Sequence, residues 1–368
     1  MKQVHFLSNS TIFSLHDSLV LQQVHKLPPI IVYTLLFTAS FIPTGANAID
    51  ITNQIYSPLN HPIGKPLNVR PVREEADRLL YLGRQQYASG SVDKTIESGL
   101  KALAIYHSLG DMNAQGLTYD LLAGAYLQLG NLKDAEGAIR RRLGIACDNK
   151  DFKNQIFGLN NLATLLLQKG EPKAAGETIQ DALVIARNLD DIEGKGLSLS
   201  NLSLVYIRLG DYNQAVKLAE TALFFRRQTG NVIGEINTLN NLGDSYLMVG
   251  DYGNTIGAYG TAMRLAKMNS YRRDQLRAID GLVTAHSAVG RYERCLELLE
   301  QRLAIAKFLN SPNEELKYFV SSGQLYEQIR DYPKARNFYE QALSLARKLD
   351  DIKQEAKLVH SLNQLKGS

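Results

Sequence analysis

Cysteine is scarce: Cys147 and Cys295 are the only two in 368 residues. They lie far apart in a chain built from short repeated units, so no internal disulfide is expected to staple the fold. Charge of one sign is also missing. The 41 basic and 37 acidic side chains leave a formal net charge of +4, a balance too mild to point to a nucleic-acid partner. Chemistry-bearing motifs are absent as well. There is no H-E-x-x-H, no C-x-x-C, no phosphate-binding P-loop and no G-x-S-x-G. Gly194-Lys195-Gly196 opens a helical pattern with no strand before it, so it is not a phosphate loop. The seven histidines are scattered singly. These absences argue against an enzyme and lead to an expectation of no cofactor and no metal.

The apolar run at residues 30–42, IIVYTLLFTASFI, is followed by Ala46-Asn47-Ala48. It is shorter than the roughly 20 residues of a membrane span. An apolar core of this length ahead of A-x-A is the mark of a secretory signal, with cleavage after Ala48. Lys26 supplies positive charge just before the core. The segment ahead of the core is long for such a signal. A start near Val20 or a two-part targeting sequence would each account for it. Residues 1–29 hold no Arg, which goes against a mitochondrial or chloroplast transit peptide. Residues 1–48 are therefore expected to be a signal peptide or membrane-targeting segment, delivering the protein to a periplasm or thylakoid lumen. The alternative is an N-terminal membrane anchor that stays attached and holds the protein near a membrane. Residues 49–70 carry Pro58, Pro62 and Pro66 without helical periodicity and read as an extended linker.

From residue 71 the chain repeats every 40 residues. Gly90, Gly130, Gly170, Gly210, Gly250 and Gly290 fall in one column, with Arg330 in the seventh place. Glycine supplies the left-handed residue that stops a helix. The next column, Ser91, Asn131, Glu171, Asp211, Asp251, Arg291 and Asp331, is mostly of N-cap type. So is a second column that closes the unit: Asp111, Asp151, Asp191, Asn231, Tyr271, Ser311 and Asp351. The unit is thus two helices of about 18 residues joined by tight turns, which makes neighbours antiparallel. Leu82, Leu122, Leu162, Leu202, Leu242 and Leu282 form a buried column, followed by small residues such as Ala123, Ser203 and Gly243. Tyr126, Tyr206, Tyr246 and Tyr326 come four residues later and are expected in the core.

Leu242-Gly243 with Tyr246, Gly250-Asp251-Tyr252, and Leu209-Gly210-Asp211-Tyr212 with Ala215 and Ala222-Leu223 resemble the tetratricopeptide repeat. The usual period is 34 residues. The longer unit here resembles the subtype of kinesin light chains and cyanobacterial multi-repeat proteins. The resemblance covers residues 71–350 and implies an all-α, right-handed helical-hairpin solenoid of about seven repeats. Residues 351–368 would supply a capping helix and tail, with Ile352, Ala356, Val359, Leu362 and Leu365 as its apolar stripe.

Function in such a solenoid is expected on the concave face, lined by the first helix of each pair. Asn161, Asn201 and Asn241 share a column there, although Asn is a poor helix former. Their amides would grip the backbone of an extended peptide, as the resemblance implies; the alternative is simple duplication, with copies retained by descent. Arg208, Asn237, Asp244, Arg277 and Lys317 lie on the same face and turn the groove basic toward its far end. A second stripe, Arg187, Arg227, Lys267, Lys307 and Arg347, ends the second helices. There it complements the helix dipoles, or offers a ridge to anionic lipid or an acidic partner. The expected function is a non-enzymatic scaffold for a protein or peptide partner. The alternative is a sensor or docking subunit of a membrane-associated or signalling complex, such as one assembling a photosynthetic or envelope complex.

Overall fold

The structure, a computed structural model, describes residues 71–365. The targeting segment 1–48, the linker 49–70 and the last three residues of the tail lie outside the described residues. Fifteen helices follow in order: α1 (Pro71–Ala88), α2 (Val92–Ser108), α3 (Met112–Gln128), α4 (Leu132–Asp148), α5 (Phe152–Gln168), α6 (Pro172–Asn188), α7 (Ile192–Leu209) and α8 (Tyr212–Thr229). They continue as α9 (Val232–Val249), α10 (Tyr252–Met268), α11 (Arg272–Ala288), α12 (Tyr292–Phe308), α13 (Pro312–Gln328), α14 (Tyr332–Lys348) and α15 (Ile352–Gln364). No strand is present among the described residues. The fold is the all-helical hairpin solenoid that the resemblance implied.

The punctuation works by local chemistry. The six column glycines adopt φ between 70° and 83°, and Arg330 takes the same left-handed conformation at 64°. A left-handed residue lets the next backbone N–H turn back to the helix it has left, as Asp251 N–H does to the Tyr246 carbonyl. Asp111, Asp151, Asp191, Asn231, Ser311 and Asp351 each accept a backbone N–H of the helix they start. Tyr271, Ser91, Glu171 and Arg291 make no such side-chain cap. Three of these four cannot place an oxygen correctly from a short side chain.

Leu122, Leu162, Leu202, Leu242 and Leu282 are all buried. The tyrosines are only partly so: their rings pack on the core while the hydroxyl reaches outward, as Tyr246 does to Glu220 at 2.5 Å. Cys147 is exposed and Cys295 buried, and both are free thiols. The final helix differs from the expected stripe. Ile352 is 78% exposed, and Ala356 and Val359 also face outward. The covering face runs through Leu358, Leu362 and Leu365, the i, i+4, i+7 positions of one helical side.

Candidate partner-binding groove

First helices of successive repeats pack directly on one another: α1 on α3, α5 on α7, α7 on α9 and α9 on α11. The second helices stand further apart. The more closely packed layer is the inside of the curve, so the first helices line the inner wall. Small residues permit the approach; a Cβ at Gly194 of α7 would lie 3.0 Å from Ile156 of α5.

That approach changes what the asparagine column does. Asn160 donates its amide to Ser198 Oγ at 2.9 Å and accepts from Asn201 Nδ2 at 2.9 Å. Asn241 donates to Ser200 Oγ at 2.9 Å, and Thr238 donates to the same hydroxyl at 3.2 Å. Arg277 then donates to Asn241 Oδ1 at 2.7 Å. A polar seam therefore runs from α5 to α11, each repeat bonded to the one before it. Asn161, Asn201 and Asn241 are at most 5% exposed. The sequence placed these amides facing a ligand; the structure instead binds those of Asn201 and Asn241 between repeats, because the first helices sit close enough to meet across the column.

The expected basic drift is also altered. Arg277 is buried and donates to Asp244 Oδ2 at 2.7 Å, and Asp244 also accepts from the Tyr259 hydroxyl. Burial, then the Asp244 charge, pushes the Tyr259 phenol well above its ordinary value. Lys317 is paired to Glu314 at 2.9 Å. The far-end cations are thus neutralised by neighbours on the protein. Of the remaining positions, Arg208 is exposed, and Asn237 and Asp244 are partly exposed on the inner wall.

One inner side chain is stranded. Asn240 is fully buried, and neither its amide nitrogen nor its oxygen has a hydrogen-bond partner; the Asn237 amide oxygen, one helical turn earlier, also has none. The cause is legible by comparison with Asn160, whose partners are Ser198 and Asn201. The equivalent positions facing Asn240 are Ala278 and Gly281, which offer no side-chain donor or acceptor.

Sequence reasoning missed two arginines that turn inward, Arg302 fully buried and Arg142 partly so. Ala102, Ala182, Ala222, Ala262 and Ala342 hold one column of the second helices, but Arg142 and Arg302 interrupt it. Each is matched by an acid 22 residues earlier, Asp120 and Asp280, and binds it: Arg142 Nε to Asp120 at 3.1 Å, Arg302 Nε to Asp280 at 2.6 Å. Complete burial outweighs Arg142 and Arg84 at Asp120 and pushes its carboxyl up to about 6. A further cleft of about 590 Å³ opens between α8 and α9, lined by Glu220, Phe224, Arg227 and Tyr246. It is shared between a second helix and the first helix that follows it. Among the described residues no group of three His, Cys, Asp or Glu side chains could hold a metal ion, and no helix is long and apolar enough to cross a membrane.

The fold and the inner wall define a helical-repeat solenoid whose equal-length units are paired antiparallel helices. A profile for the tetratricopeptide repeat matches residues 156–228, 197–268 and 274–348, over half of the chain, and the protein belongs to the tetratricopeptide repeat family. No curated protein matches it by sequence. Among solved structures, the apo form of RapI superposes with a TM-score of 0.57 at 13% identity, covering 75% of this chain and 99% of that one. A Rap protein complexed with competence and sporulation factor gives 0.52 at 13% identity, with 88% and 98% covered. The STAND protein PH0952 from Pyrococcus horikoshii, which has a tetratricopeptide repeat sensor, gives 0.54 at 16% identity, with 78% and 45% covered. The chain thus spans less than half of that last protein. At these identities the likeness is one of fold.

Proposed function

We propose that this protein is a non-enzymatic scaffold whose inner wall receives an extended segment of a partner protein. The observation that carries this reading is the unmet amide chemistry of α9. The Asn237 oxygen sits on a partly exposed side chain without a hydrogen-bond donor, above the equally unmet amide of Asn240. A buried polar group left this way costs about 1–3 kcal/mol; the partly exposed Asn237 side chain could turn its now buried oxygen outward to accept a backbone N–H of an extended peptide. Arg208, exposed on the preceding first helix, adds a charge at the same wall. The related fold of a Rap protein has been seen with competence and sporulation factor, which supports a role for this architecture in holding a partner.

Site-specific photo-crosslinking in the native cells tests the reading. A photoreactive side chain at Asn237 or Arg208 should yield a discrete adduct identifiable by mass spectrometry. The same group at Glu177, on the outer helix α6, should yield none. Adducts from position 177 alone would move the binding surface to the second helices.

We further propose that the protein acts outside the cytoplasm, on the strength of the apolar run 30–42 and Ala46-Asn47-Ala48. N-terminal sequencing of the native protein should then return Ile49 as the first residue. A chain that still begins ahead of residue 30 would refute cleavage.

A further inference from the structure

The turn between α10 and α11 carries a surface that the groove does not use. Met268 is 70% exposed and Phe308, on the next turn, 72%; among the large apolar side chains described only Ile352 is more exposed. The two turns are adjacent, because the Arg272 guanidinium lies 5.5 Å from the Phe308 ring centre. Tyr271 adds a second exposed ring. Around them stand Arg264, Lys267, Arg272 and Arg273. None of these four forms an ion pair among the described residues. Arg264 instead lies against the Met268 sulfur at 3.8 Å, and Arg272 donates to Gln275.

The reason for the free charge is a single column. Arg227 and Arg347 end their second helices as Lys267 does, but each is bonded to a carboxylate eight residues later, Glu235 and Glu355. At the α10–α11 turn that place is taken by Gln275. Asp274 beside it is buried and engaged. Of the acids that open α13, Glu314 is committed to Arg302 and Lys317, and Glu315 follows Lys307 at the same spacing of eight without pairing to it. Elsewhere on this edge the turns are acidic or mixed, as at Asp190-Asp191 and Asp350-Asp351.

We propose that the α10–α11 turn is a membrane-surface contact that takes anionic phospholipid headgroups. Met268 and Phe308 would enter the headgroup boundary while Arg264, Lys267, Arg272 and Arg273 meet the phosphates. Protruding apolar side chains ringed by unpaired cations fit a deformable, negatively charged interface. An acidic protein would use the same charges, but would gain little from two apolar tips that point outward.

Sedimentation of the full chain with vesicles tests this. Mixed phosphatidylglycerol–phosphatidylcholine vesicles should bind the protein more tightly than pure phosphatidylcholine, and added salt should erase the difference. The Lys267→Glu, Arg273→Glu double variant should weaken binding to the mixed vesicles by about thirtyfold or more. Met268→Ser with Phe308→Ser should weaken it by about tenfold. Arg187→Glu, a cation on the same ridge away from the turn, should leave it unchanged. All of these residues are exposed, so circular dichroism should report an intact helical fold throughout. Equal binding of wild type and both turn variants to the mixed vesicles would overturn the proposal. So would a turn that binds soluble polyglutamate through Lys267 and Arg273 while vesicle binding is indifferent to them, which would mark an acidic protein as the partner.

Discussion

Replacing Arg302 with alanine should destabilise the protein by about 3–5 kcal/mol, although alanine is what five sibling positions hold. Arg302 is fully buried and ties three helices together. Its guanidinium donates to Asp280 on α11 at 2.6 and 3.3 Å, and to the Glu314 side chain and backbone carbonyl on α13 at 2.8 and 2.5 Å. Burial alone would raise the Glu314 carboxyl; Lys317 and Arg302 more than reverse this and hold it below its ordinary value. Removing the arginine leaves two carboxylates and a carbonyl facing a cavity. Asp280 is 38% exposed and can rehydrate, which favours the lower end of that range. Adding Asp280→Asn should recover part of the loss, because it removes one stranded charge and restores the residue found at Asn160 and Asn240. Urea denaturation followed by circular dichroism reads both variants. A single variant as stable as wild type would show that the clamp contributes nothing net.

Gly281→Asn should destabilise by about 2–3 kcal/mol through overpacking, again despite installing the column's own residue. A Cβ at Gly281 would lie 2.3 Å from the Tyr259 ring, and one at Gly243, on another side of the ring, 2.8 Å from it. The ring cannot slide, since it is 2% exposed and its hydroxyl is committed to Asp244. Tyr259→Ala alone should cost about 3–5 kcal/mol. In the double variant the two losses should fall short of their sum by about 1–3 kcal/mol, since the introduced amide would occupy vacated space and reach Asn240 as Asn201 reaches Asn160. Additive losses in the thermodynamic cycle would separate the glycine from the tyrosine.

The helices, their turns and their order were legible in the sequence because they depend on residues a few positions apart. Gly210 stops α7 and Asp211 starts α8 by contacts within one turn. The groove was less legible. Whether Asn201 faces a ligand or Asn160 depends on how closely α5 and α7 approach, and that distance is set by Gly194, Ser198 and other small residues scattered through the repeats. The charge of Arg277 likewise disappears only when Asp244, on the previous first helix, is brought beside it. The most informative signals were departures from the repeat. Arg142 and Arg302 each carry an acid 22 residues upstream, and the large Tyr259 and Tyr339 each face glycines, at Gly243, Gly281 and Gly323. A column's common residue describes generic packing; its exceptions identify partners.

Arg142 and Arg302 stand at two of the three places where direct packing between successive first helices thins, at α3 against α5 and at α11 against α13; the third, α13 against α15, adjoins the final helix. Between them the polar seam joins α5, α7, α9 and α11 without interruption. Under load the solenoid should therefore behave as a stiff beam with a joint at each end rather than as a uniform spring. Bending would concentrate at these two steps; at the second, Arg302 reaches across to Glu314 of α13 through charge-assisted bonds that can tilt and re-form where interlocked side chains would have to part. The middle four repeats would keep their curvature while the terminal ones swing, so the width of the inner wall would be set in the centre and its reach adjusted at the ends.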